Sequence, residues 1–217
     1  AKLLAGNKIV KEHDIFIQTD GWLQVIEQDP VPIYFKKEEA VAGGMLTLPL
    51  AKIKSLNVPM EPSVPYVYFG NVREFGDLNS DDFVFETSVR NDFREGSGVC
   101  QKSEIRLITE GSMISIPLSV KGCISENNLF CLGRYIKGNE NDLSGFGVDF
   151  NHFVKVRLEV LHGKANFFFD DKMVYHLDGL VSGSKIKGII FRFQGTGSVD
   201  WVKLSKSDGK MIYEDEF

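Results

Sequence analysis

Val154-Lys155-Val156-Arg157-Leu158-Glu159-Val160 alternates apolar and charged residues without a fault. Successive side chains of an extended chain point to opposite faces, so this run makes one dry face and one charged face. Phe83-Val84-Phe85-Glu86-Thr87-Ser88-Val89-Arg90 repeats the scheme, with Phe83, Phe85, Thr87 and Val89 on one side and Glu86, Ser88 and Arg90 on the other. Ile189-Ile190-Phe191-Arg192-Phe193-Gln194 does so again. Strands of this kind belong to antiparallel sheets that bury one face, as in a two-sheet sandwich.

Turn residues divide these runs. His162-Gly163 separates Val154–Leu161 from Lys164–Phe169, and Asp170-Asp171 separates that strand from Lys172–His176, so two tight hairpins form a meander. Gly195-Thr196-Gly197 leads from Ile189–Phe193 into Ser198–Leu204, and Ser207-Asp208-Gly209-Lys210 leads into Met211–Tyr213. Only Lys36–Ala42 and Leu50–Leu56 have helix-like composition, and each is too short to stand alone. Seventeen phenylalanines and twenty-one glycines lean the same way, toward strands and turns. The expected core comprises Phe83, Phe85, Val89, Val156, Leu158, Val160, Ile189, Phe191, Phe193, Val199 and Trp201.

The 217 residues, 43% of them apolar, suffice for a full core. A charged share of 25% argues against a disordered chain, and a net charge of −5 against a sequence-blind nucleic-acid binder. Val41–Ala51, the longest nearly uncharged stretch, is too short to span a bilayer. Three prolines within Asn57–Pro65 mark the one candidate boundary. Before it lie Gly21–Glu27, Val31–Lys36 and Met45–Pro49, too few strands for an independent core. A single domain over 1–217 is therefore expected; the alternative is an N-terminal β segment or flap over 1–56 and a sandwich over 66–217.

Phe153 to Leu158, Ala165 to Val174, Lys187 to Phe193 and Gly197-Ser198-Val199-Asp200-Trp201-Val202-Lys203-Leu204 follow one another in an order that resembles the C-terminal half of concanavalin A-like lectin/glucanase and laminin-G-like sandwiches. The resemblance is good over about 65 residues and looser over about 150. It implies a jelly-roll sandwich and an extracytoplasmic location, periplasmic or at the cell surface. The chain opens at Ala1 with no charged-then-apolar leader of its own, which leaves room for a signal or anchor segment removed ahead of it. Period two puts Val199 and Trp201 on one face of the closing strand and Asp200, Val202 and Leu204 on the other.

The glucanase members resemble one another in a Glu-x-Asp-x-x-Glu strand. The nearest stretch here, Glu104-Ile105-Arg106-Leu107-Ile108-Thr109-Glu110, has Arg106 where an acid is required. Glu110 lies about 20 Å along the strand from Glu104, whereas a retaining mechanism needs two carboxyls roughly 5 Å apart. The four histidines, His13, His152, His162 and His176, are scattered, no Ser sits in a G-x-S-x-G turn, and Gly43-Gly44 lacks a strand-to-helix setting. Three cysteines, Cys100, Cys123 and Cys131, form no zinc spacing; they read as buried thiols, with a Cys123–Cys131 hairpin disulfide as the alternative.

Candidate binding residues are the outward polar positions Glu86, Arg90, Glu104, Arg106, Arg157 and Arg192, with Tyr135 and Phe146 in the connecting segment. On one sheet they would make a field of carboxylates and guanidiniums suited to vicinal hydroxyls, with Arg106 at its centre. The plain alternative is a solvated face of cross-strand ion pairs. Trp22, Tyr66 and Tyr68 are further aromatic platforms, and Phe168 is forced outward by parity, to cover a neighbour or mark an interface. Asn139, Asn141, Asp142 and Asp149 are the densest oxygen cluster, a weak calcium candidate beside a plain Asx-rich turn; otherwise no cofactor is expected. The expected function is a non-catalytic carbohydrate-binding module. A protein-interaction sandwich is the alternative and a glycoside hydrolase the distant one, so the partner is a glycan or a protein.

Overall fold

The expected hairpins close on pairs of residues with positive φ, the backbone of a mirror-image turn whose twist matches its strands. His162 and Gly163 stand at 50° and 73°, Asp170 and Asp171 at 48° and 63°. A third such turn, Leu132-Gly133 at 46° and 88°, went without a sequence signal. Leu161 pairs with Lys164 and Phe169 with Lys172, so each loop is two residues long.

The computed structural model describes residues 3–5, 8–11, 15–17, 22–28, 56–58, 67–78, 82–92, 101–180, 185–194 and 197–216. The helix-like stretch 36–42, the expected strands at 31–36 and 45–49, and Tyr66 and Cys100 lie outside them. The early strands are β1 (Leu3–Ala5), β2 (Lys8–Lys11), β3 (Ile15–Ile17), β4 (Trp22–Gln28), β5 (Leu56–Val58) and β6 (Val67–Leu78). They are followed by β7 (Phe83–Asn91), β8 (Lys102–Thr109), β9 (Ser112–Val120), β10 (Asn128–Cys131), β11 (Arg134–Lys137) and β12 (Gly147–Val148). The last six are β13 (Val154–Leu161), β14 (Lys164–Phe169), β15 (Lys172–Leu177), β16 (Ile186–Gln194), β17 (Gly197–Lys206) and β18 (Met211–Glu216). Two 3-10 turns, Lys121–Glu126 and Ser144–Phe146, are the only helical turns among the described residues.

The strands form two sheets. The larger, of eleven strands, runs β11-β10-β9-β8-β16-β6-β4-β3-β1-β2, with β12 beside β9. The smaller, of seven, runs β15-β14-β13-β7-β17-β18, with β5 beside β17. The chain is a two-sheet, essentially antiparallel all-β sandwich, as expected. Its core lies between the sheets: Phe85, Leu158 and Phe167 from the smaller meet Leu107, Ile116, Phe191 and Phe193 from the larger, all buried. The Asn91 side-chain amide joins the sheets at one edge, donating to the carbonyl oxygens of Lys102 at 2.8 Å and Gln194 at 3.0 Å.

Ten of the eleven expected core residues are buried; Trp201 is not. In the pairing of β17 with β7, Val199 faces Val89 and Trp201 faces Ser88, which leaves Asp200 as an extra residue. Such a bulge reverses parity beyond it. Val202 and Leu204 turn into the core, while Trp201 moves to the outer face beside Lys203, whose Nζ lies 5.8 Å from its ring centre. The Trp201 carbonyl released by the bulge accepts a hydrogen bond from Thr87 Oγ1 at 2.6 Å.

Candidate functional site

Arg106 is a mid-strand residue of β8, and three pairings decide what lies beside it. Arg106 is opposite Ser115 of β9, Ser115 is opposite Phe130 of β10, and Phe130 is opposite Tyr135 of β11. In the adjoining row Glu104 lies between Pro117 of β9 and Arg192 of β16. Arg106, Glu104, Arg192 and Tyr135 thus share the outer face of the larger sheet. Phe130, unnoticed in the sequence, joins them: Leu129 and Cys131 are buried, so period two turns Phe130 outward, while the apolar run Leu129-Phe130-Cys131 carries no alternation that would signal it.

Glu104 is the electrostatic centre of this face. Its Oε2 is 2.7 Å from an Arg106 nitrogen and 3.1 Å from an Arg192 nitrogen, and its Oε1 accepts the Ser115 hydroxyl. The carboxylate and the two guanidiniums are each only about a fifth exposed, so the cluster is far better shielded than a solvated surface pair. Burial alone would raise the Glu104 pKa. The Arg106 charge and hydrogen bond, with help from Ser115 and Arg192, outweigh it and hold the carboxyl below its ordinary value. A depression of about 170 Å³ lies alongside, lined in part by Lys102, Glu104, Asn128 and Arg192. Tyr135, 56% exposed, presents its ring at the end of the row, 6.5 Å between centroids from Phe130.

The remaining expected residues lie elsewhere. Glu86, Arg90 and Arg157 occupy the outer face of the smaller sheet, so the charged field divides between two faces instead of forming one. Period two assigns a residue to a face but says nothing of which strand will be its neighbour. Here β7 pairs with β13 and β17, while β8 pairs with β9 and β16. On that second face the Arg157 guanidinium lies 4.0 Å from the centre of the outward Phe168 ring and pairs with Glu159. Arg90 covers Phe153 at 4.6 Å and pairs with Asp92, and Lys155 reaches Glu86 at 3.8 Å. These aromatic partners are capped from within the protein.

Phe146 is a correction. It is fully buried, its ring 5.8 Å from Phe167 and 5.5 Å from Phe169 in edge-on geometry and 5.8 Å from Tyr175, so it cannot meet a ligand. The 3-10 turn Ser144–Phe146 tucks it into the core. The side chains of Trp22 and Tyr68 lie outside the described residues.

Asn139, Asn141 and Asp142 are exposed and serve local turns: the Asn141 amide donates to the Lys137 carbonyl at 3.0 Å, and Asp142 accepts the Ser144 N–H at 2.9 Å. Among the described residues no three His, Cys, Asp or Glu converge as a metal site. Cys123 is disulfide-bonded and Cys131 is a free buried thiol, which corrects both the reading of all three cysteines as thiols and the Cys123–Cys131 alternative. Burial pushes the Cys131 thiol up to about 12, too high for a nucleophile. No helix among the described residues is long and apolar enough to cross a membrane.

No protein-family model and no curated protein sequence matches this chain. Solved structures do. A sialidase is similar over 86% of this chain at 11% identity and a TM-score of 0.44, and this chain spans only 15% of that protein's chain. A native glycosidic hydrolase is similar over 89% of this chain and 94% of its own, at 10% identity and a TM-score of 0.43. The carbohydrate-binding module CBM66 from Bacillus subtilis covers 64% of this chain and 81% of its own, at 12% identity and a TM-score of 0.42. None of these likenesses singles out a particular family.

Proposed function

We propose that this chain is a non-catalytic carbohydrate-binding sandwich that grips a glycan on the outer face of its larger sheet, around Arg106. The observation that carries the reading is the ion-paired Glu104, fixed between Arg106 and Arg192 on the face where Tyr135 exposes its ring. Sugar recognition needs a flat apolar platform for the C–H face of a pyranose and planar donors for its hydroxyls. Donors already locked by a shared carboxylate lose little freedom on binding. A role without catalysis is supported by the state of Glu104: a carboxyl kept ionised by two guanidiniums has no proton to give as a general acid. Its near neighbours on this face are cations rather than the second carboxyl that retaining chemistry requires.

The reading treats 1–217 as one domain. Support comes from β4, which pairs along β6, and β5, which pairs with β17, so the first segment adds strands to both sheets. An extracytoplasmic location is supported by the disulfide at Cys123, a bond that persists in oxidising compartments. A protein-interaction role is the second reading, favoured by Trp201 on the outer face of the smaller sheet and by Met173, which is 54% exposed. A glycan array followed by calorimetric titration, with calcium and with chelator, separates the two. Saturable binding to a glycan supports the proposal. Silence across neutral and acidic polysaccharides by the folded protein transfers the function to a protein partner, and slow release of reducing ends restores the hydrolase.

A further inference from the structure

A second cleft, of about 630 Å³, lies where the β14–β15 turn faces the 3-10 turn after β9 and the segment around β12. Its volume is within the roughly 300–1,000 Å³ of small-ligand sites. Its polar walls are Lys121, Asp149, His152, Asp170 and Lys172, with Met173 as the exposed apolar surface.

The hydrogen bonding of the two aspartates is lopsided. Asp149 Oδ1 accepts both the Asn151 N–H at 2.9 Å and the Asn151 side-chain amide at 2.7 Å. Asp170 Oδ1 accepts the Lys155 N–H at 2.9 Å. In each, one oxygen is pinned, which orients the carboxylate, and the other has no hydrogen-bond donor among the described residues; the nearest approach is His152 Nε2, 3.9 Å from Asp170 Oδ2. The Lys121 and Lys172 ammonium groups likewise make no ion pair or hydrogen bond among the described residues, although the Lys121 charge acts on Asp149 from a distance. The cleft thus offers oriented acceptors, exposed cationic donors and a thioether surface side by side.

That combination selects among ligands. A bare divalent cation is opposed by the lysines, and an inorganic anion by the aspartates. A carboxylated sugar answers every group: ring hydroxyls donate to the spare carboxylate oxygens, the acid group meets a lysine ammonium, and the C–H face lies on Met173. We propose that this cleft is a second ligand site, taking one carboxylated sugar residue independently of the Arg106 face.

The test titrates the whole chain with glucuronate, galacturonate and N-acetylneuraminate, and with glucose and galactose as neutral controls, followed by amide chemical shifts. The expected result is saturable binding of an acidic sugar, with the largest shifts at Asp149, Lys172 and Met173. Combining Lys121→Ala with Lys172→Ala should weaken it by at least about tenfold, since two charge-assisted contacts are lost, while Arg106→Ala leaves it unchanged. Both lysines are exposed, so the double variant is expected to fold normally. The proposal is overturned if none of the acidic sugars binds, if the neutral sugars bind as tightly, or if the lysine variant keeps full affinity. Loss of binding in Arg106→Ala also overturns it, by moving the ligand to the sheet face.

Discussion

Glu104→Gln keeps the shape of the side chain and removes the charge that holds Arg106 and Arg192 together. Two ion-paired hydrogen bonds lose the charge on their acceptor, a loss of about 1 kcal/mol each. The two guanidiniums then repel across a partly shielded gap, adding about 1 kcal/mol. Since each group keeps about a fifth of its surface in water, the expected total is about 2–3 kcal/mol after discounting for screening. For a domain of this size that corresponds to a fall in Tm of about 5–10 °C. The pH dependence has a definite sign. The folded pKa of Glu104 lies below its ordinary value of 4.5, so its stabilisation is fully present above that value and is lost as pH falls through the folded pKa. Urea denaturation of both proteins should therefore show the full gap at neutral pH and none in strong acid. A gap below about 0.5 kcal/mol at neutral pH, or one that persists unchanged in acid, would refute the reasoning.

Phe146→Ala should cost about 3–5 kcal/mol as a full core deletion, whereas Trp201→Ala, on the outer face beyond the bulge, should cost about 1–2 kcal/mol; equal costs in urea denaturation would contradict the bulge at Asp200. Cys131, buried and with its pKa raised to about 12, should resist iodoacetamide in the native protein at about pH 8 and react once the chain unfolds. Rapid labelling of the native thiol, read by peptide mass spectrometry, would place Cys131 at the surface.

What the sequence made legible is what period two and turn chemistry govern. Val154–Leu161 and Lys164–Phe169 match β13 and β14 residue for residue, because faultless alternation and a Gly-containing two-residue turn leave no other register. Trp201 was misread because a bulge is an insertion into a pairing, and nothing within Val199-Asp200-Trp201 marks it. Phe146 was misread for want of periodicity in its segment. Its flanking glycines were a usable signal: a Cβ on Gly145 would come within 2.7 Å of the Val174 carbonyl oxygen, so the turn is pressed against β15. The candidate site was half legible. Parity put Arg106, Glu104 and Arg192 outward, and Tyr135 was singled out as a platform, but strand order alone separates them from Glu86, Arg90 and Arg157.

Strand order also revises the expected cost of losing Arg106. An exposed pair would change stability by less than roughly 1 kcal/mol, but the guanidinium is mostly covered, and Arg106→Ala is expected to cost about 1–2 kcal/mol while leaving a cooperatively folded protein. The most direct measurement is a calorimetric titration of that variant and the wild-type chain with a neutral glycan, one the acidic-sugar cleft does not take, that the wild type binds on an array. The account predicts saturable binding by the wild type and none by folded Arg106→Ala. Equal affinity in the two proteins would contradict it.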